Sequence, residues 1–188
     1  MPPYVYAVIV AGWLIWMAPF FLIKRGPSTP RAVKVDTRAR WGIVLEAIAY
    51  SAIWQTRFWI REPAYWRVVL GVIFLTLAAV LSWTSARTLG RQWRVDAGLN
   101  ADHQLVQSGA YRIVRHPIYT SMLCMLLGTG FLITPLLLLV MAVVIFVVGT
   151  EIRVRIEDTL LASRFGAEFE NYQRRVPAYL PLGRKTIA

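Results

Sequence analysis

Long apolar runs alternate with short polar connections along the chain. Pro3 to Ile23 carries no charged residue over 21 positions, and roughly 20 apolar residues in a helix cross about 30 Å of hydrocarbon. The run has no basic leader, and its length suits a retained span rather than a cleavable signal. Pro19 is placed to kink it near its end. Lys24 to Arg40 follows as a loop, with six Lys and Arg, and with Pro27 and Pro30 opposing a helix. Trp41 to Thr56 reads as a short second span, with aromatic anchors toward both ends and Glu46 inside it. A polar turn from Arg57 to Arg67, including Pro63, leads into a third span, Val68 to Ala86, and Arg87 to Arg115 is a long polar connection.

Pro117 to Thr150 is uncharged for 34 residues. As one helix it would measure about 51 Å, too long for a single crossing. Thr134-Pro135 marks the natural turn, so the run predicts a helical hairpin with spans 117–134 and 135–150. From Glu151 onward, Ile152, Ile156, Leu160, Phe165, Phe169 and Tyr172 recur at steps of three to five, as the apolar stripe of an amphipathic tail helix would. The pattern predicts an all-α integral membrane protein of five transmembrane helices, folded as one domain over residues 1–188.

Charge orients this arrangement. Of 21 Lys and Arg, 18 fall in three segments on one side, 24–40, 87–115 and the tail; only Arg57, Arg61 and Arg67 fall on the other. The positive-inside rule makes the crowded side cytosolic, with the N-terminus outside and the C-terminus inside. Residues are 57% hydrophobic and 16% charged, more apolar surface than one soluble core of this size buries. The net charge of +11 sits beside apolar spans, where anionic membrane lipids explain it better than nucleic acid. Cys124 is the only cysteine; it lies in an apolar run and reads as a small buried hydrophobe.

Both histidines and eight of the ten acids lie on the cytosolic side. Neither a metal cluster nor a hydrolase triad is supported by their spacing. Two segments could carry chemistry. In the first, Gly109-Ala110-Tyr111-Arg112 runs to Arg115-His116-Pro117-Ile118-Tyr119. Pro117 suits the first turn of a helix, and Arg115 and His116 then read as interfacial residues. Alternatively, two Tyr, one His and two Arg converge on a helix start that favours an anion. In the second segment, Arg153 and Glu157 share one helical face, as do Glu151 and Arg155, so spacing alone does not separate a site from ordinary ion pairs. Glu46, an acid within a span, must face the protein interior: it contacts an acceptor's polar group or pairs with an arginine. Tyr50 and Gln55 read as packing.

The string Gly109-x-Tyr111-x-x-x-Arg115-His116-Pro117-x-Tyr119 resembles the isoprenylcysteine carboxyl methyltransferase family and its phospholipid methyltransferase relatives. The later parts match in order: the apolar hairpin, Glu157-Asp158, Phe165-Gly166, and Tyr172-Gln173-Arg174-Arg175-Val176-Pro177. The match covers roughly Leu89 to Pro181. It implies an S-adenosylmethionine-dependent membrane methyltransferase acting on a lipidic or small hydrophobic acceptor, carboxylate or amine. By the resemblance, cofactor contacts fall on His103, Gln104, Leu105, Val106, Tyr111, His116, Pro117, Ile118, Tyr119 and Glu157. The resemblance also puts Arg153 toward the acceptor and implies Arg153 and Glu157 for catalysis, while Glu46, outside the matched stretch, is a candidate for the acceptor's polar group by its position within a span alone. The family often has two glutamates where this chain has Glu157-Asp158, which leaves the role of Asp158 open; with an amine acceptor, Glu157 or Asp158 is the candidate base. In that reading Glu157 pairs with the cofactor's ammonium and His116 helps hold its carboxylate. The competing classes are an NADPH-dependent sterol-type reductase and a non-catalytic scaffold or channel subunit.

Overall fold

The computed structural model describes residues 1–23, 34–90, 98–99 and 104–180. Among them are six α-helices: α1 (Pro3–Leu22), α2 (Ala39–Ile53), α3 (Tyr65–Leu89), α4 (Pro117–Ile133), α5 (Leu136–Phe165) and α6 (Ala167–Arg175). Three are long and apolar enough to cross a membrane, namely α1, α3 and α5; α4, at 17 residues, is apolar but shorter. With a lipid-like composition on these helices, the chain is a membrane protein.

Helix starts and stops follow local chemistry. Proline occupies the first turn of α1 and of α4, where its missing N–H costs nothing. The hairpin turns where the sequence predicts: Thr134 caps α4 and Pro135 opens α5. The tail differs from expectation. Instead of a separate helix from Glu151, α5 runs unbroken through the polar segment to Phe165, and the stripe continues on α6 after a break. Gly166, at φ +50°, makes that break, in a conformation that favours glycine.

The helices pack in two pairs, α3 on α4 and α2 on α5, with α1 lying along α3. Both pairs approach through glycines. A Cβ on Gly71 would fall 2.7 Å from Leu132 Cγ, and one on Gly149 would fall 2.8 Å from the Gly42 carbonyl oxygen. Close backbone approach of this kind supplies the van der Waals contact that drives helix association in lipid. α4 joins the pairs. Met125, Leu132 and Ile133 pack with α1 and α3, while Leu123 and Leu126 pack with Ile53, Leu139 and Phe146.

The polar connections collect at the two ends of the bundle. At one end, Ile60 N–H donates to the Ile133 carbonyl at 2.9 Å. Nearby, Arg67 donates to the carbonyls of Phe131 (2.8 Å) and Thr134, closing the end of α4. At the other end, two short strands that the apolar pattern does not predict, β1 (Lys34–Val35) and β2 (Gly98–Leu99), pair antiparallel. They tie the connection after α1 to the connection before α4. The chain after α6 also returns here: the N–H groups of Arg115 and His116 each donate, at 2.8 Å, to the carbonyls of Pro177 and Ala178. This end carries the candidate site.

Candidate active site

His116 is the N-cap of α4 and is buried. Its backbone is held by the returning tail, so its ring has little freedom. The hairpin brings α5 back beside it, and two consecutive acids meet the two ring nitrogens. Nε2 lies 2.9 Å from Asp158 Oδ1 and Nδ1 lies 3.3 Å from Glu157 Oε2. Burial opposes a charged imidazole, but hydrogen bonds and charge from Asp158 and Glu157 outweigh it and raise its pKa from 6.5 to about 9. At neutral pH it is an imidazolium donating from both nitrogens.

Each acid has further partners. Asp158 accepts from Arg115 Nη2 at 2.7 Å and from Gln173 Nε2 at 3.2 Å. One carboxylate thereby links α5, the start of α4 and α6. Glu157 accepts from the Tyr119 hydroxyl, one turn into α4. Its side chain is 24% exposed, against 13% for Asp158. Glu157 is therefore the acid with a face to spare.

On α5, one turn before Glu157, Arg153 places its guanidinium 4.8 Å from the centre of the Tyr119 ring, within cation–π range. Its Nη1 donates to Glu46 Oε2 at 2.8 Å, and Thr150 donates to Glu46 Oε1 at 3.1 Å. Of the two readings of Glu46, pairing with an arginine is what the structure shows. Gly42 makes room for it: a Cβ there would sit 2.4 Å from Arg153 Cγ. By contrast, Arg155 and Glu151 form an exposed pair along one helix at 2.7 Å, the ordinary kind worth little. Of the two pairings that spacing allowed along α5, Glu151 with Arg155 forms on the exposed face, whereas Arg153 pairs with Glu46 across the helix interface and Glu157 pairs with His116.

The result is a line of alternating charge across three helices: Glu46, Arg153, Glu157, His116, Asp158 and Arg115. Three anions meet three cations. A ligand carrying both an ammonium and a carboxylate can enter such a set without stranding a buried charge.

The sequence-predicted residues fall into groups. His116, Tyr119, Glu157, Arg153 and Glu46 come together. Pro117 and Ile118 form the first turn beneath them. Tyr111 is buried in a 3-10 turn, Gly109–Arg112, with its carbonyl accepting from Tyr172 Oη at 2.6 Å. Gln104, Leu105 and Val106 lie in the irregular segment before that turn, and His103 lies outside the described residues. The structure commits both His116 nitrogens to acids, so its ring acts on Glu157 rather than standing open to an anion. The sequence does not single out Arg115, Thr150 or Gln173 as site residues, and it leaves the role of Asp158 open. Arg115 and Asp158 each stand in a motif beside a site residue, His116 and Glu157; hydrogen bonds from Thr150 and Gln173 depend on helix contacts that spacing cannot reveal.

Comparison with known proteins places the chain in a family. The family model described as phospholipid methyltransferase matches residues 66–168, more than half the chain. The chain is 30% identical over 120 residues to protein-S-isoprenylcysteine O-methyltransferase B of Arabidopsis thaliana, covering 62% of this chain and 60% of that protein. It is also 30% identical over 142 residues to cobalt-zinc-cadmium resistance protein CzcN of Cupriavidus metallidurans, covering 75% and 62%. The protein-S-isoprenylcysteine O-methyltransferase of Schizosaccharomyces pombe is 36% identical over 84 residues, covering 44% and 35%. The chain spans about three fifths of the length of the first two relatives. Through the matched segment, which runs from α3 to the start of α6, the chain belongs to the phospholipid methyltransferase family.

Proposed function

We propose that this chain is a membrane methyltransferase using S-adenosylmethionine, which methylates a lipidic or small hydrophobic acceptor at the cytosolic membrane face. All five helices α1 to α5 cross the membrane, with the N-terminus outside and the C-terminus in the cytosol. This orientation rests on the basic residues beside the site end of the bundle. The observation that carries the reading is Glu157: a partly open carboxylate, aimed by His116 and Tyr119, within a charge-balanced buried set.

The residues present suit the cofactor. Glu157 would hold its ammonium, with the Tyr119 hydroxyl keeping that carboxylate in place. His103, Gln104, Leu105, Val106, Tyr111, Pro117 and Ile118 would line the remainder. When bound, S-adenosylmethionine supplies a methyl group on a positively charged sulfur. The chain's part is then alignment, the main contribution to an in-line displacement. Arg153, fixed by Glu46 and Thr150, positions the acceptor's polar group. A carboxylate acceptor needs no base. An amine acceptor must first lose a proton, and Glu157 or Asp158 would be the base for that case.

The test is titration of the purified chain with S-adenosylmethionine, S-adenosylhomocysteine and NADPH, followed by calorimetry. The proposal expects the first two to bind and NADPH not to. Binding of NADPH alone, or failure of both S-adenosyl compounds at millimolar concentration, would overturn it.

A further inference from the structure

Four successive carbonyls beyond α6, those of Val176, Pro177, Ala178 and Tyr179, accept from the start of α4. Their donors are, in turn, Arg115 Nη1, the Arg115 N–H, the His116 N–H and Thr120 Oγ1. Hydrogen bonds rather than apolar burial hold this segment: among residues 176–180 only Tyr179 is buried. Helix α6 is fastened differently. Its Phe169 and Tyr172 are buried, and Tyr172 Oη donates to the Tyr111 carbonyl at 2.6 Å. The boundary between the two is Val176, where the backbone leaves the helix and becomes extended.

The segment lies over the residues that hold Glu157. The Ala178 carbonyl takes the His116 N–H, and Tyr179 packs with Tyr119 and Val154. Arg115 ties it to the charged set, donating to the Val176 and Gln173 carbonyls and to Asp158.

A nucleoside-sized ligand that sets its ammonium on Glu157 needs more room than the 24% of that side chain left open. Part of the surround must therefore move. The backbones of Gly42 and Gly149 already touch across α2 and α5, and parting them would break the buried Arg153–Glu46 pair. Lifting residues 176–180 breaks a few hydrogen bonds, worth about 1 kcal/mol each, and exposes little apolar surface. Segments held in this way open far more often than the whole chain unfolds.

We propose that residues 176–180 form a strap over the cofactor. It lifts from α4 to let the cofactor reach Glu157 and lies back across it, with Arg115 as the latch and Val176 as the hinge. This assignment rests on the methyltransferase reading. The strap governs how fast a ligand enters and leaves, while Glu157 governs how tightly it is held.

Hydrogen–deuterium exchange on the full chain in detergent reads the strap through the Arg115 and His116 N–H groups that donate to it. Saturating S-adenosylhomocysteine is expected to slow their exchange at least tenfold, since it holds the strap closed. Dissociation and association rates of labelled S-adenosylhomocysteine supply the second readout. Thr120→Val combined with Tyr179→Phe removes the strap's bonds to Thr120 and Glu151 without altering the charged set. Both rates should rise about tenfold together, leaving Kd within threefold. A wall that merely touches the ligand would raise dissociation alone and weaken Kd. That outcome, or calorimetric binding with unchanged exchange at Arg115 and His116, overturns the strap and leaves the methyltransferase reading standing. Absence of calorimetric binding to the unmodified chain removes that reading and the strap with it.

Discussion

At His116 the two ring nitrogens face the carboxylates of adjacent residues, 3.3 Å from Glu157 and 2.9 Å from Asp158. Folding raises the ring's pKa from 6.5 to about 9. A raised folded-state value contributes stability that is fully present below the unfolded value and is lost as pH rises through the folded one. Thermal unfolding in detergent should therefore show a midpoint that falls between about pH 7 and pH 9.5. Asp158→Asn should flatten that fall, because it removes one of the two acids that hold the proton; an unchanged slope would refute the assignment. Asp158→Ala leaves Arg115 and His116 facing one acid fewer, and a buried pair broken in this way costs on the order of 3 kcal/mol. Denaturant titration measures it.

At the scale of elements, the α2–α5 contact joins packing to the site. Gly42 and Gly149 bring the backbones together, and Arg153 reaches Glu46 across the same interface. Gly149→Leu should separate the helices, lowering the unfolding midpoint and abolishing methyl transfer together. Glu46→Leu alone strands a buried guanidinium, whereas Glu46→Leu with Arg153→Met should recover much of the stability without activity. Unfolding midpoints of the two single variants and the double variant measure the coupling.

This interface also shows what was legible in the sequence. The hairpin turn at Thr134-Pro135 and the order of the five apolar helices follow from apolar run lengths and proline positions, and the charged end from where Lys and Arg fall; the break at Gly166 that starts α6 does not. The partner of Glu46 does not, because a residue in one span can meet any other span at its own depth. The β1–β2 pair was equally hidden, since two-residue strands leave no periodicity. Asp158 stood beside Glu157 in the sequence, but one helix step turns it toward Arg115 and Gln173, and only the folded tail reveals those partners.

For the whole molecule, sidedness decides whether a water-soluble cofactor and a membrane-held acceptor can meet. Single cysteines at Thr37 and Arg61, in a Cys124→Ser background, distinguish the two faces. An impermeant thiol reagent added outside intact cells should label the Arg61→Cys chain and spare the Thr37→Cys chain; the reverse pattern would invert the topology. The central claim is that one end of the bundle divides its labour, with Glu157 holding cofactor and Arg153 holding acceptor. Calorimetric titration of S-adenosylmethionine into the unmodified chain, Glu157→Ala and Arg153→Ala tests this most directly. The account predicts at least a tenfold loss of affinity for Glu157→Ala and less than a threefold loss for Arg153→Ala, which instead loses turnover. Equal losses in both variants, or no binding to the unmodified chain, would contradict it.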